Sequence, residues 1–403
     1  MKEIRYKILV MFFLMTVVAC HKELPAPDDN SIDVQFPYSS YIFFDVCQPT
    51  KGVMINDNLQ GKTFAVTAYK YDGQWGIVSK GECLPNLFYN FPVTYDNGAH
   101  VYDATNNEFN NHTDISGKKL KLIPWEDNMH YTFYAHYPHD PGNSNPKVSS
   151  KDTYHGEPYI DFILPDTPED MFDLMTAGLQ DEDNSVDNYV SLRMYHRLSA
   201  FDLFVSNNIQ KMQVDGVDKE ISIKIKNVSV TFNNLLYSKA SFWMNRQYQP
   251  DPENYRAGYR SLTKFNNGTL KTYVILGNTE DKEIENGDRD NVTGELGRSL
   301  LIIPQRLDGS GKYLNGVLNF DCEFLDQDGE PIDIPLLVED GDDFNTITVS
   351  ELTGQSMPFN VNKNVDAGYS YYLELAFING VITLRVVSAP TWDENFNMDL
   401  EFN

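Results

Sequence analysis

Short runs of alternating apolar and polar residues recur along most of the chain and restrict its fold more than any other feature. In residues 62–69, for example, Phe64, Val66 and Ala68 occupy every second position. Comparable runs cover residues 41–46, 130–137, 189–205, 221–232, 317–325 and 369–387. A period of two places alternate side chains on opposite faces of a strand, and turn residues separate the runs. The sequence therefore predicts an all-β fold with very little helix.

Several runs carry finer predictions. In residues 130–137, aromatic residues alternate with more polar ones, which predicts a strand that is buried on one face only. Asn227 interrupts the alternation of residues 221–232 and suggests a β-bulge. Asn379-Gly380 predicts a tight turn within the last run. Residues 326–329 predict a hairpin turn between a strand at residues 317–325 and one at residues 332–338.

An acidic stretch at residues 181–184 divides the strands into two groups. We therefore predict two β-sandwich domains in tandem, over residues 36–185 and 186–403, the second ending in a tail strand. Just before this boundary, residues 167–170 combine an N-cap residue, a proline and two acids. This combination predicts a short helix that continues to Met175.

The first twenty residues have the layout of a secretory signal peptide. Lys2, Arg5 and Lys7 precede an apolar run at residues 8–15, and small side chains lead to Cys20. The run is too short to span about 30 Å of hydrocarbon as a helix. Residues 1–19 are thus a predicted signal peptide, and the polar residues 20–35 a predicted tether.

Residues 17–20 also resemble the lipobox of bacterial lipoproteins, whose cysteine is acylated after the leader is removed. Cys20 is therefore the predicted lipid attachment site. The alternative is an ordinary signal peptide with a cysteine at that position by chance. Two or more acyl chains hold a protein firmly on a membrane, whereas one chain binds reversibly. The resemblance implies an outer membrane lipoprotein that carries palmitate or a similar acyl group.

The formal charge of the chain is −26. Such an acidic surface is repelled by nucleic acid and by anionic lipid headgroups, so we expect no nucleic acid partner. Membrane attachment would then depend on acyl chains at Cys20. Apart from the leader, the sequence contains no apolar run of about 18 residues, the length required for a spanning helix.

Three cysteines remain after Cys20. Cys322 shares one face of its run with apolar residues and is a predicted buried, inert thiol. Cys47 and Cys83 could form a disulfide in an oxidising compartment, and the sequence leaves that pairing open. An odd number of cysteines argues against a disulfide framework.

Five segments resemble the fimbrillin family, the pilin-like surface lipoproteins of Bacteroidales. They are residues 64–69 together with Trp75, residues 125–138, residues 173–177, residues 190–199 with His196-Arg197-Leu198-Ser199, and residues 301–305. The resemblance implies two transthyretin-like β-sandwich domains with Greek-key-type strands. It also implies a non-enzymatic structural subunit of a fimbria or pilus at the cell surface, with other pilin-like subunits as partners.

In this family a first strand is removed by proteolysis, and the groove that it leaves accepts a strand from another subunit. The tail alternates Phe396, Met398, Leu400 and Phe402 with polar residues, as a donor strand requires. The alternative is that the tail pairs within its own domain. No arginine lies between Arg5 and Arg193, so an Arg-specific protease has no site in the amino-terminal domain. Either another protease matures the chain, or the chain keeps its first strand at an end of the fibre. The absence favours the second alternative, a tip or anchor subunit with an adhesive role toward a host or bacterial surface ligand.

Other chemistry has weaker support. His130 and His136 lie about 20 Å apart on one strand and cannot share an ion, and His139 adds only a second ligand to His136. No catalytic or phosphate-binding motif is present, so we predict no enzyme activity, cofactor or metal. The acidic residues 181–183, 326–329 and 339–343 are predicted solvated loops or turns, with calcium binding as the alternative.

An alternative function is a surface carbohydrate-binding lipoprotein. Exposed Trp243, Trp392 or tyrosine side chains would then serve as platforms for sugar rings.

Overall fold

A computed structural model gives the fold of the protein. It describes residues 42, 44–47, 62–78, 83–94, 123–183, 190–209, 211–214, 216–233, 236–244, 259–264, 270–277, 281–293, 299–304, 314–340, 343–361, 365, 367–368 and 370–389. The predicted signal peptide, the tether and the tail strand lie outside these residues. Within them, every helix is too short to cross a membrane.

Almost every regular element is a strand, which confirms the all-β prediction. The first thirteen are β1 (Phe44–Cys47), β2 (Thr63–Tyr71), β3 (Phe88–Thr94), β4 (His130–Tyr137), β5 (Lys147–Val148), β6 (Tyr159–Ile163), β7 (Met175–Glu182), β8 (Val190–Arg193), β9 (Tyr195–His196), β10 (Ser199–Asn208), β11 (Met212–Val214), β12 (Val217–Lys219) and β13 (Ser222–Phe232). The others are β14 (Tyr237–Trp243), β15 (Tyr259–Lys264), β16 (Thr272–Val274), β17 (Lys282–Ile284), β18 (Arg289–Asn291), β19 (Leu300–Ile302), β20 (Leu314–Leu325), β21 (Ile334–Asp340), β22 (Asp343–Val349), β23 (Glu351–Val361), β24 (Ser370–Ile378) and β25 (Val381–Ala389).

The described helices are α1 (Trp75–Val78) and a 3-10 helix (Pro168–Asp170). The helix predicted to reach Met175 is therefore wrong beyond its first turn. The Met171 amide closes that turn on the Pro168 carbonyl, and the chain becomes extended at Met171. Buried Met171 and Leu174 then reach the protein core as extended chain, and β7 begins at Met175.

The amino-terminal sheet has the strand order β3-β2-β4-β7-β9 and is antiparallel. One of its faces packs on a cluster that we call the amino-terminal core. Its buried members are Ile42, Phe44, Phe64, Val66, Ala68, Phe88, Val93, Tyr131, Phe133, Ala135, Tyr137, Met175, Ala177, Val190, Leu192 and Met194. The predicted facing of Phe64, Val66 and Ala68 to one side of β2 is confirmed.

The other face of this sheet is also buried, which corrects the prediction that β4 is half-buried. Tyr134 and His136 have no exposed surface. Part of the cover comes from the segment that follows β4, since the Tyr69 hydroxyl donates to the Gly156 carbonyl at 3.0 Å. Alternation along β4 shows which side chains share a face, but not what packs against that face.

Two larger sheets form a sandwich in the carboxy-terminal half. One has the order β18-β10-β24-β25 with β19 also on β10, and the other has the order β16-β13-β20-β23 with β17 also on β13. Their inner faces supply most of a second cluster, the main core, which also includes Tyr69, Trp75 and Tyr134 of the amino-terminal half. The amino-terminal sheet therefore lies between the two cores.

Strand pairing crosses the predicted domain boundary in both directions. β6, which precedes residue 185, pairs with β14 in the sheet β15-β14-β6-β5. β8 and β9, which follow it, pair with β1 and β7. The division into residues 36–185 and 186–403 stays a prediction.

The local turn predictions have mixed outcomes. β24 and β25 form the predicted hairpin, with Asn379 and Gly380 at positive φ. Asn227 has φ 55°, and the register of β13 against β20 shifts beside it, as predicted. Residues 326–329 do turn, and Pro331 and Ile332 return against Leu325 and Phe324 at the end of β20. The predicted hairpin goes no further, because β21 pairs with β22.

Candidate functional site

Among the described residues, two short strands, β1 and β8, cover the amino-terminal core. β1 pairs in parallel with β8, in a register that joins Phe44 to Val190 and Cys47 to Arg193. Among the described strands, β8 is the only partner of β1. The described backbone pairing of β1 is therefore limited to this four-residue ladder.

Phe44 is the main anchor of β1. Its side chain has no exposed surface, and its ring meets Phe88 and Phe133 edge to face at 6.0 and 5.5 Å. Burying one phenylalanine is worth about 1.5–3 kcal/mol, and favourable ring pairs add about 0.5–1.5 kcal/mol. Just before the strand, Ile42 is 1% exposed and its amide donates to the Ile123 carbonyl at 2.8 Å.

The surface beneath β1 is apolar. It is built from inward side chains of β2, β3 and β4, with β8 beside β1 and Trp125 packed against Tyr131. Without β1 this surface would be a groove lined by aromatic and aliphatic side chains. Such a groove, flanked by the free edge of β8, is the kind of site that accepts an added strand.

The tail strand that the sequence predicts as a donor, with Phe396, Met398, Leu400 and Phe402, lies outside the described residues. Among the described strands, the last one, β25, is bonded to β24 alone and lies at the edge of its sheet. Cys20 also lies outside the described residues, so its acylation stays a prediction.

The remaining cysteines have different settings. Cys83 is a free thiol that packs against the main core, so the structure does not contain the Cys47–Cys83 disulfide. The side chain of Cys47, on β1 over the other core, is not among those described. Cys322 is 1% exposed, as predicted, and burial raises the pKa of its thiol to about 12.

Polar side chains lie buried near the start of β10. The Nδ1 atom of His196 lies 2.6 Å from Oδ2 of Asp173, which is 1% exposed. Arg197 is 2% exposed and donates to the Thr176 hydroxyl at 2.5 Å and to the Trp243 and Met244 carbonyls at 3.3 and 3.2 Å. The sequence favoured a structural role for His196, but it gave no signal that its neighbour would be a buried cation.

The predicted metal candidates do not converge in the described part of the chain, where no three His, Cys, Asp or Glu side chains could hold one ion. His136 is fully buried, and neither ring nitrogen has a hydrogen-bond partner. Burial, helped by the nearby His139, lowers the pKa of His136 to about 3. A neutral imidazole in mid-sheet is the result.

Two of the acidic stretches have structural roles. Asp326 accepts hydrogen bonds from the Asp328 and Glu330 amides, as a turn requires, and pairs with Lys219 at 2.5 Å. Asp181 lies within β7 with φ 60°. Its Oδ1 atom accepts from the Tyr71 hydroxyl and the Trp75 amide at 2.9 and 2.6 Å, which ties β2 and α1 to β7.

A model of a fimbrillin-like family matches residues 89–392 of the chain. A fimbrial protein from Bacteroides vulgatus has a similar structure, with a TM-score of 0.56 and 18% identity over 87% of this chain and 99% of that one. A protein from Bacteroides uniformis that is described as a cell adhesion protein has a TM-score of 0.39 and 14% identity, with 88% of this chain and 99% of that one covered. A fimbrial assembly protein from Parabacteroides distasonis has a TM-score of 0.35 and 8% identity, with 87% of this chain and 99% of that one covered. The last two TM-scores are below 0.5, so the shared fold rests on the first. No curated protein matches the chain.

Proposed function

The chain belongs to the fimbrillin-like family, and on this basis we propose that it is a non-enzymatic subunit of a surface fimbria that joins other subunits by β-strand exchange. The observation that carries the proposal is the place of β1 over the amino-terminal core, where β8 is its only partner among the described strands. A short strand that is paired on one side can be replaced without taking apart the sheet on the other side of the core.

The tail has the pattern that such a replacement needs. In the sequence, apolar residues occupy positions 42, 44 and 46 around β1, and positions 396, 398, 400 and 402 in the tail. Both series have a spacing of two, so alternate side chains of either strand can enter the same row of pockets. A fully extended segment of fourteen residues, the length of residues 390–403, spans about 46 Å.

Export would begin with the signal peptide and continue with acylation of Cys20, which places the protein in the outer membrane before assembly. The fate of β1 then decides the position in the fibre. A subunit that loses β1 also loses Cys20 and can accept a neighbour's strand. A subunit that keeps both stays anchored and can only donate its tail, and the absence of arginine between Arg5 and Arg193 favours this second fate.

The proposal is tested by cutting the chain after it has folded. A specific protease site inserted between residues 50 and 60 would allow β1 to be released from the purified protein. We expect the cut protein, but not the intact one, to bind a labelled peptide of residues 393–403 and to form polymers. A peptide with Met398→Asp and Leu400→Asp should not bind, because its charges would enter apolar pockets.

Deletion of residues 390–403 serves as the second arm and should prevent polymerisation of the cut protein. Failure of the cut protein to bind the peptide or to polymerise would overturn strand exchange at this site. The amino-terminal sequence of protein recovered from cells distinguishes the two fates. A blocked Cys20 indicates an anchored subunit or an immature precursor, and a start between Phe36 and Thr63 indicates a cleaved, polymerising subunit.

A further inference from the structure

The sheet β15-β14-β6-β5 has an unusual outer face. Its inner face is apolar, with Ile160, Phe162 and Phe242 buried in the main core. On the outer face, Tyr159 of β6 lies directly opposite Trp243 of β14. Their ring centroids are 6.1 Å apart at an interplanar angle of 84°.

A third ring extends this pair. Tyr154, from the turn before β6, meets Tyr159 edge to face at 4.8 Å. All three rings are half-buried, so part of each still faces solvent. The outward positions of a sheet with one buried face are ordinarily polar. Aromatic side chains that keep one apolar surface and one polar tip accessible are instead enriched where proteins bind ligands.

A polar row lies beside this aromatic cluster. Asp161 is two residues from Tyr159 along β6, about 7 Å away, and faces the same side. It lies between Lys147 of β5 and Ser241 of β14 in register. The Ser241 hydroxyl donates to Oδ1 of Asp161, and Lys147 is exposed. The row thus offers an ammonium donor and a carboxylate acceptor beside the rings.

The cluster is held rigidly. Arg197, buried beneath it, donates to the carbonyls of Trp243 and Met244 and fixes the backbone that carries the indole ring. The amide of Tyr154 donates to the Ser150 carbonyl at 3.1 Å, which fixes the turn. A site that is ordered before binding loses less conformational entropy when a ligand arrives.

We propose that this outer face binds a neutral polysaccharide. A sugar ring presents an apolar C–H surface, which stacks on aromatic rings, and a rim of hydroxyl groups, which bond to ammonium and carboxylate groups. A chain of formal charge −26 repels anionic glycans, which favours neutral ones. None of the rings belongs to the amino-terminal core, so the proposal goes beyond strand exchange and does not depend on it.

The test uses affinity electrophoresis of the full-length protein through gels that contain a soluble β-glucan, a mannan, a galactan or, as an anionic comparison, hyaluronan. We expect at least one neutral glycan to retard the protein and hyaluronan not to. Trp243→Ala should weaken that retardation at least tenfold, and Trp243→Tyr should restore part of it. Tyr154→Ala, on a turn outside the strands, should weaken it several-fold while leaving the fold intact.

Phe204→Ala is the matched control, since Phe204 is a half-buried ring on the outward side of β10, in a different sheet. It should bind as the unmodified protein does. Absence of retardation by all three neutral glycans would overturn the proposal, as would equal retardation of the unmodified protein, Trp243→Ala and Tyr154→Ala. Neither result would bear on the strand-exchange proposal, because its test, polymerisation of the cut protein, contains no glycan.

Discussion

The two apolar cores of this protein are closed in different ways. In the described part of the chain, the amino-terminal core is covered by two four-residue strands, β1 and β8, which pair with each other. The main core is enclosed by strands of up to twelve residues, such as β20, which is bonded on both sides. Fewer backbone hydrogen bonds must therefore break to expose the amino-terminal core than to expose the main core. A short cover and an extensive enclosure are thus combined in one chain.

The largest expected effect comes from truncating the anchor of the short strand. Phe44→Ala should lower the free energy of unfolding by about 3–5 kcal/mol, because it removes a fully buried ring from a packed site. Urea denaturation measures the loss. Hydrogen exchange should place it at the amides of β1 and β8, which would exchange much faster.

Phe377→Ala sharpens the comparison, since this ring is 1% exposed and belongs to the main core. It should cost a similar free energy but leave β1 and β8 protected. Equal loss of protection at β1 in both variants would mean that the two cores unfold as one unit. The idea of a separately removable cover would then fail.

Much of each core could be predicted from the sequence, but the way it is closed could not. Alternation located β2, β13 and β24, and Asn379-Gly380 located a turn, because these signals lie within a few residues. The pairing of β1 with β8 joins segments far apart in sequence, and periodicity carries no information about the partner of a strand. The apolar run at residues 41–46 was visible, whereas the anchoring role of Phe44 depends on Phe88 and Phe133 across the fold.

The amino-terminal sheet and the carboxy-terminal sandwich also differ in the titratable group that each one buries. His136 lies in mid-strand in the amino-terminal sheet, and Asp202 lies in mid-strand in the sandwich, each with at most 1% exposed. Burial favours the neutral form of both. Because the neutral histidine has lost a proton and the neutral aspartic acid has gained one, acid should weaken the first region and strengthen the second.

The histidine gives the larger of these two effects. The pKa of His136 falls from 6.5 to about 3 on folding, so only the unfolded chain takes up a proton between those values. Titration of His136 leaves the free energy of unfolding unchanged above pH 6.5 and should lower it by about 2 kcal/mol at pH 5. His136→Asn should remove the dependence, as measured by urea denaturation at pH 7.5 and 5. His155→Asn, at an exposed position, should leave it intact, and an unchanged dependence in His136→Asn would contradict the assignment.

Asp202 should give the smallest effect, with the opposite sign. Its Oδ1 atom accepts from Ser299 at 2.6 Å, but Oδ2 has no partner, and burial raises its pKa from 3.8 to about 6. The cost of holding the carboxylate charged is absent below pH 3.8, grows as the pH rises to about 6, and is fully present above it. Between pH 7 and pH 5, this residue should therefore stabilise the sandwich by about 1 kcal/mol.

Asp202→Asn should remove this gain and raise stability at pH 7, since an amide can still accept the Ser299 bond without carrying charge. Asp321→Asn is the control. Hydrogen bonds from Asn227 and Gly354 lower the pKa of the Asp321 carboxyl, so this substitution should lower stability at pH 7 instead of raising it. Hydrogen exchange at β10 and β24, followed from pH 7 to pH 5, measures the change in the region concerned after correction for the intrinsic rate. If acid lowered hydrogen-exchange protection at β10 and β24 as much as at β4, the two regions would respond to pH in the same way. The two cores would then differ in how they are covered but not in their electrostatics.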